Sequence, residues 1–325
     1  MPEAPDLVVI REFLEPRLVG RTIASATERR PLALRNMTSR PFADDIAGRS
    51  VAGISRKGKL LIFELGALPL TPALSLTGRG CEGTAAPAAL PRSLNLSRKA
   101  RGESPTGSTG STATTGTDAR RLIVSPMLTG ALRYCEPKAR MDATAMLLFD
   151  LDDGMQLRYL DDKRMGQVYY VPPERSEEIV RLEDQGPDVI DERLTLGKFK
   201  ERLKPFTGEI KGVLTRGHAV SGIGNAYADE VLFAAKVYPF TRRPRLSSVQ
   251  LERLHAAVYA VPGAAVVTLR KRVHSDIRRK VRDFLKVHGK GGQPCPDCGT
   301  IITAITANRR ETNYCRKCQP GSLFR

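Results

Sequence analysis

Two Cys-x-x-Cys pairs near the end of the chain constrain its fold more than any other feature. They are Cys295-Pro-Asp-Cys298 and Cys315-Arg-Lys-Cys318, with sixteen residues between them. Each pair sits on a tight turn, and four thiolates at this spacing can close a tetrahedron around one Zn²⁺. Two disulfides are the alternative. The opening residues are acidic and lack the apolar run of a signal peptide, so reduced thiols and one structural zinc are expected. Inside the finger, Ala307-Asn308-Arg309-Arg310-Glu311-Thr312-Asn313-Tyr314 forms a basic tip before the second pair, a composition suited to phosphate.

The charge of the chain points the same way. Its 325 residues carry a net charge of +17. Residues 200–325 hold 24 Lys/Arg against 9 Asp/Glu, so nearly all of the surplus lies in the half that contains the finger. Nucleic acid is the leading partner for such a surface, ahead of an anionic membrane, because no basic amphipathic helix stands out. No apolar run reaches the roughly 18 residues that a spanning helix needs. An intracellular, DNA-associated protein is expected, without a membrane partner and monomeric.

The first half reads as sheet opened by one helix. Leu7, Ile10, Leu14 and Leu18 recur at helical spacing over 5–19, and Gly20 follows as a stop. Strands are expected at 51–54, 60–65, 121–124, 130–134, 145–151, 156–159 and 167–171. Residues 98–120 are a Ser/Thr/Gly-rich low-complexity stretch, and roughly 67–120 read as a disordered insertion between two strands. From 176 the pattern turns helical: 176–183, 198–203, 209–215, 226–236, 247–258 and 264–273, punctuated by Pro187, Pro205, Pro239 and Pro262. In Ser221-Gly222-Ile223-Gly224-Asn225, Asn225 is expected to cap the helix that follows, and exposed N–H groups there would suit a phosphate.

Four motifs in order carry a resemblance: Met1-Pro2-Glu3; Arg56-Lys57-Gly58-Lys59 before a strand; Ser221 to Glu230; and the finger with Arg310-Glu311-Thr312-Asn313-Tyr314-Cys315. Together they resemble the formamidopyrimidine-DNA glycosylase / endonuclease VIII family of base-excision repair enzymes, over the whole chain except the insertion. The resemblance implies an α+β multidomain protein. Residues 1–175 would be an N-terminal β-sandwich catalytic domain, 176–290 a helix–two-turns–helix domain linked through Gly186-Pro187-Asp188-Val189, and 291–320 the zinc finger. The implied activity is removal of oxidised bases from damaged double-stranded DNA, with AP lyase strand cleavage by β,δ-elimination.

The family's nucleophile is an N-terminal proline, which Pro2 supplies once Met1 is removed. An α-amine titrates near ~8 and a lysine near ~10.4, so at neutral pH far more of the α-amine is free base. A secondary amine attacking the sugar carbon that bears the base yields an iminium, which acidifies neighbouring protons for elimination. By resemblance Glu3 is the acid/base beside it and Lys59 contacts a flanking phosphate; Asp6 either orients this centre or is an ordinary carboxylate of the first helical turn. Glu230 reaches the N-terminal amine, and Asn225 and Arg310 clamp phosphates, with Arg309 and Lys211 as weaker candidates for phosphate. Met127, Lys163 and Met165 stand where the family fills the gap left by an extruded base, with Lys163 and Met165 replacing the usual Arg and Phe. Cys81, Cys135 and the four histidines show no ligand spacing. The stretch His274–Arg282 is short where formamidopyrimidine-type members carry a longer loop, so formamidopyrimidines and oxidised pyrimidines are expected to be preferred over 8-oxoguanine. Two other classes compete with this reading: a DNA-binding paralogue that has lost catalysis, and a zinc-ribbon RNA-binding protein. Pro2, Glu3 and Lys59 argue against the first, and the N-terminus argues against the second.

Overall fold

The computed structural model describes residues 1–30, 33–67, 118–179, 185–274, 276–307 and 310–321, without the side chains of 307 and 310. Helix α1 (Ala4–Leu18) opens the chain and buries Leu7, Ile10, Leu14 and Leu18 against the first domain's core. Strand β1 (Ile23–Glu28), strand β2 (Leu34–Asn36) and the short helix α2 (Phe42–Ile46) follow. Strands β3 (Val51–Lys57), β4 (Leu60–Leu65), β5 (Arg120–Ser125), β6 (Ala131–Cys135), β7 (Ala145–Leu151), β8 (Gln156–Leu160) and β9 (Gln167–Val171) complete this half.

They form two sheets, ordered β1-β7-β8-β6 and β2-β9-β5-β4-β3. Ile23, Leu147, Phe149 and Leu157 of one sheet share a core with Ile54, Leu61, Phe63 and Leu122 of the other. This is a β-sandwich, as expected. The sequence pattern misses β1 because its burial does not alternate, and a register shift between Ile23 and Ser25 breaks the period of two.

Strands β4 and β5 are antiparallel neighbours, and Leu65 pairs with Arg120. The stretch expected to be a disordered insertion therefore joins two adjacent strand ends; residues 68–117 lie outside those described. Arg49 is fully buried and holds both ends of the connection, donating to the carbonyls of Gly66 and Asp118.

The second half is helical: α3 (Leu196–Leu203), α4 (Ile210–Arg216), α5 (Asn225–Ala234) and α6 (Ser248–Arg272). Residues 173–178 are a 3-10 turn where a helix over 176–183 is expected, and 180–184 lie outside the described residues. The two helices expected at 247–258 and 264–273 are one, because α6 runs through Pro262. An internal proline costs about 3 kcal/mol, yet Leu254, Val258, Ala265 and Leu269 are buried on both sides of it. Burying four such side chains outweighs that cost. The finger closes the chain with hairpin β10 (Thr303–Ala307) and β11 (Arg310–Tyr314). No helix among the described residues is long and apolar enough to cross a membrane.

Candidate functional site

The first residues of the chain thread between α5 and the segment that follows α6. Glu3 is 2% exposed. Its carboxylate accepts N–H bonds from Gly224 (2.7 Å), Ala226 (2.9 Å) and Tyr227 (3.1 Å), at the positive end of α5. The anion at this helix start is therefore Glu3, and the expectation of an open phosphate site there is corrected. The loop is shaped for the purpose. Gly222 has φ +94°, and a Cβ on Gly224 would lie 2.4 Å from the Glu3 carboxyl carbon. Ala4 N–H donates to the Gly222 carbonyl at 2.9 Å.

Burial raises the Glu3 carboxyl above its usual range, against the opposing pull of Arg282 and of the N–H donors. The N-terminal amine, carried by Met1 in this structure, is pushed down to about 6. Burial is the main cause; the charges of Lys280 and Arg282 add to it, and Glu3 opposes it. Pro2 lines a small cleft with Asp6, Val9, Ile277 and Lys280. The backbone N–H of Glu3 donates to Asp6 (2.8 Å), and Asp6 is gripped by Arg282 through both carboxylate oxygens.

Lys59 donates to the carbonyls of Thr215 (3.1 Å) and Ile223 (3.3 Å), which sets its charge beside the same loop. The turn that carries it is locked from below by Arg56, a residue the sequence offered only as part of a basic turn. Arg56 is 8% exposed and grips Asp188 through both guanidinium nitrogens, and also Asp191. Only the fold shows this, because the partners are about 130 residues apart.

Three expected residues are engaged with partners inside the protein. Asn225 does not cap its helix; α5 begins at Asn225 itself, and the amide donates to the Glu311 carbonyl of the finger hairpin at 2.8 Å. Glu230 does not reach the amine. Its two oxygens accept the backbone N–H groups of Lys286, Val287 and His288 at 2.8–2.9 Å, so it anchors the turn into the finger. Lys211, a weaker phosphate candidate, turns inward. It is 7% exposed, and its ammonium donates to the Glu311 carbonyl (3.0 Å) and the Thr312 hydroxyl (2.8 Å) and pairs with Asp229 at 2.7 Å. Arg310 opens β11 opposite Ala307, at the hairpin tip. Its side chain and Arg309 lie outside the described residues.

Met127 and Met165 sit on two loops that are tied together. Thr129 donates to Asp161, and the Lys163 N–H donates to the Thr129 hydroxyl (2.9 Å). Met165 is 47% exposed and Leu128, which the sequence did not single out, is 48% exposed. Lys163 is solvated beside Asp162. Met127 has φ +47° and Arg164 has φ +53°, a region that bulky residues seldom occupy.

The four cysteines Cys295, Cys298, Cys315 and Cys318 converge, with all sulfur atoms within 4.8 Å of one another. Cys298 and Cys315 are 3.5 Å apart and Cys295 and Cys318 are 3.9 Å apart. Zinc–sulfur bonds of ~2.3 Å in a tetrahedron place sulfurs ~3.8 Å apart, so the donor set fits Zn²⁺. The Cys318 N–H also points at the Cys315 sulfur, which steadies a thiolate.

A β-sandwich, a helical half gripping the N-terminus and a four-cysteine finger define the class: an α+β multidomain protein with one structural zinc. The comparisons agree. The formamidopyrimidine-DNA glycosylase N-terminal domain model matches residues 1–168, the H2TH domain model of the same enzyme matches 185–275, and the model of a zinc finger found in FPG and IleRS matches 292–321. The chain belongs to the formamidopyrimidine-DNA glycosylase family. It is 28% identical to the formamidopyrimidine-DNA glycosylase of Symbiobacterium thermophilum, over 98% of this chain and 90% of that one. It is also 28% identical to the Bacillus subtilis enzyme of that name, over 98% and 99%. A solved Lactococcus lactis Fpg bound to DNA containing N7-benzyl-Fapy-dG matches with a TM-score of 0.74 and 25% identity, covering 98% of this chain and all of that one.

Proposed function

We propose that this chain is a bifunctional DNA glycosylase and AP lyase of base-excision repair, acting on oxidised bases in double-stranded DNA inside the cell. One observation carries the reading: Pro2 lines a cleft beside the buried Glu3 carboxyl, which three N–H donors hold and which burial raises above its usual range. An α-amine titrates near ~8, and the burial and the cations Lys280 and Arg282 that push the Met1 amine down favour the free base that a nucleophile needs. A carboxyl whose protonated form is favoured by burial is suited to give its proton to the sugar ring oxygen.

Pro2, exposed by loss of Met1, is the nucleophile in this reading. Its nitrogen attacks the sugar carbon that bears the damaged base. The base leaves with the glycosidic bond pair and the attacking nitrogen loses its proton. The bond from that carbon to the ring oxygen then opens, its electron pair going to the oxygen, which Glu3 protonates, and the carbon–nitrogen bond becomes an iminium. Loss of a proton from the adjacent sugar carbon then expels the phosphate. Glu3 is the acid/base. Lys59, Asn225 and Arg310 would meet phosphates around the extruded nucleotide. Met127, Lys163 and Met165 fill the gap it leaves, and Leu128 joins them because it is exposed on the same loop. The left-handed backbone of Met127 and Arg164 supports that role, since such strain persists where function needs it. The division into a catalytic sandwich to about 175, a helical domain to about 290 and a finger belongs to the same proposal, supported by the three model matches.

Borohydride trapping tests the reading. Reduction should cross-link the protein to duplex DNA containing an abasic site, and Pro2→Gly should weaken the cross-link severely. Undiminished trapping by a protein whose N-terminus is blocked would sink the assignment of Pro2.

A further inference from the structure

Between α6 and the finger, residues 276–288 cross the molecule without helix or strand. The segment places one apolar side chain in each of four clusters. Ile277 enters the sandwich core, Val281 packs with Val9 and Leu269, Leu285 enters the helical core, and Val287 packs with Cys295 and Cys315. Polar pins lie between them. Arg278 meets Asp142 at 3.3 Å, Lys280 donates to the Leu128 carbonyl at 2.8 Å, and Glu230 accepts the N–H groups at 286–288. The segment is a fixed strap, not a lid.

Arg282 is the pin nearest the chemistry. Its two terminal nitrogens meet the two oxygens of Asp6 at 2.7 and 2.5 Å, and its guanidinium carbon lies 5.1 Å over the Tyr227 ring. Asp6 accepts the Glu3 N–H, and Tyr227 donates its own N–H to the Glu3 carboxylate. Arg282 therefore sets, through one intermediary, the backbone of the residue next to Pro2. A bidentate fork does this in a way a point charge cannot.

We propose that Arg282 is a positioning residue for the reaction, fixing the Asp6–Glu3 backbone and with it the amine that attacks. The proposal rests on the reading of the N-terminal amine as the nucleophile. The charged groups around that amine are Glu3 and Asp6 from the start of α1, and Lys280 and Arg282 from the strap. Arg278 and Arg279 line the Pro2 cleft, and Tyr227 and Glu230 of α5 stand behind Arg282. Burial and Lys280 do most to hold the Met1 amine down and Arg282 adds to them, so removing Arg282 moves the N-terminal titration toward higher pH.

The test compares wild type, Arg282→Met and Arg282→Lys. The readouts are melting temperature, affinity for duplex DNA containing a tetrahydrofuran abasic analogue, and the single-turnover rate of borohydride trapping on abasic DNA as a function of pH. Arg282→Met should slow trapping by about 10–100-fold, leave affinity within about threefold, and shift the ascending limb of the profile to higher pH. Arg282→Lys, which folds with its charge kept, should restore the limb while remaining slower than wild type because the fork is gone. A pair that only joins two segments would lower the melting temperature and leave rate and limb unmoved in both variants, which overturns the proposal. If wild-type trapping survives an N-terminal extension, the nucleophile assignment fails and takes the proposal with it. Trapping that is lost on extension but untouched in both variants overturns the proposal alone.

Discussion

Glu3 is held so tightly that the usual isosteric substitution is not innocent. Glu3→Gln keeps the shape but turns an NH₂ toward one of the three N–H donors of the loop and α5. An unmatched buried donor costs about 1–3 kcal/mol. The expected result is a lowered melting temperature together with a loss of about 10²–10⁴-fold in base removal, the span typical of a general acid. Single-turnover rates taken well below the melting transition separate the two effects. Gly224→Ala should act on the same carboxylate from the other side, since its Cβ would lie 2.4 Å from the Glu3 carboxyl carbon. The pH dependence follows from the two titrations. Imine formation should rise with pH as the N-terminal amine loses its proton, at a pH below the ordinary α-amine range because burial and the charges of Lys280 and Arg282 disfavour the cation there. It should fall again as pH climbs through the raised titration of Glu3 and the acid is lost. A trapping profile with neither a rising nor a falling limb would contradict both assignments.

At the scale of elements, α5 organises the site. Its start binds Glu3 and its second turn holds the finger. Asp229, fully buried, pairs with Lys211 and accepts from His288 and from the Asn313 N–H. Lys211→Met leaves that carboxylate without its cation, a cost of about 3–5 kcal/mol for a buried pair broken on one side. Faster zinc release to a chromogenic chelator and weaker lesion-DNA binding are the expected signs; an unchanged release rate would show that the finger does not depend on this network. The β4–β5 connection is the second element-scale prediction. Because Leu65 faces Arg120, replacing residues 68–117 by a short Gly/Ser turn should leave folding and activity intact. Unfolding of the sandwich in that variant would show the connection to be structural. The strap bears on substrate choice. With Ile277 and Val281 packed into cores, it is not free to close over a flipped purine. Formamidopyrimidines and oxidised pyrimidines should therefore be excised faster than 8-oxoguanine opposite cytosine, measured as single-turnover rates on matched duplexes.

For the whole molecule, the surplus of positive charge in residues 200–325 sets how binding responds to salt. Affinity for duplex DNA should fall steeply with ionic strength, and Arg310→Ala should reduce the slope of log affinity against log salt by about one unit, as expected when one phosphate contact is lost. An unchanged slope would remove Arg310 from the interface. The same scale separates what was legible from what was not. Local signals determined the zinc ligands, the opening helix, seven of the nine sandwich strands and the Gly-rich loop, because spacing and hydrophobic period are properties of neighbours in the chain. The partners of the charged residues were settled only by the fold. Glu3 meets a loop about 220 residues away, Arg56 meets Asp188, Asp6 meets Arg282, and Lys211 turns inward to Asp229. A carboxylate or an ammonium has the same composition whether it faces phosphate or a buried counter-charge. Which one it meets depends on desolvation and on groups brought close by packing, and neither exists until the chain has folded.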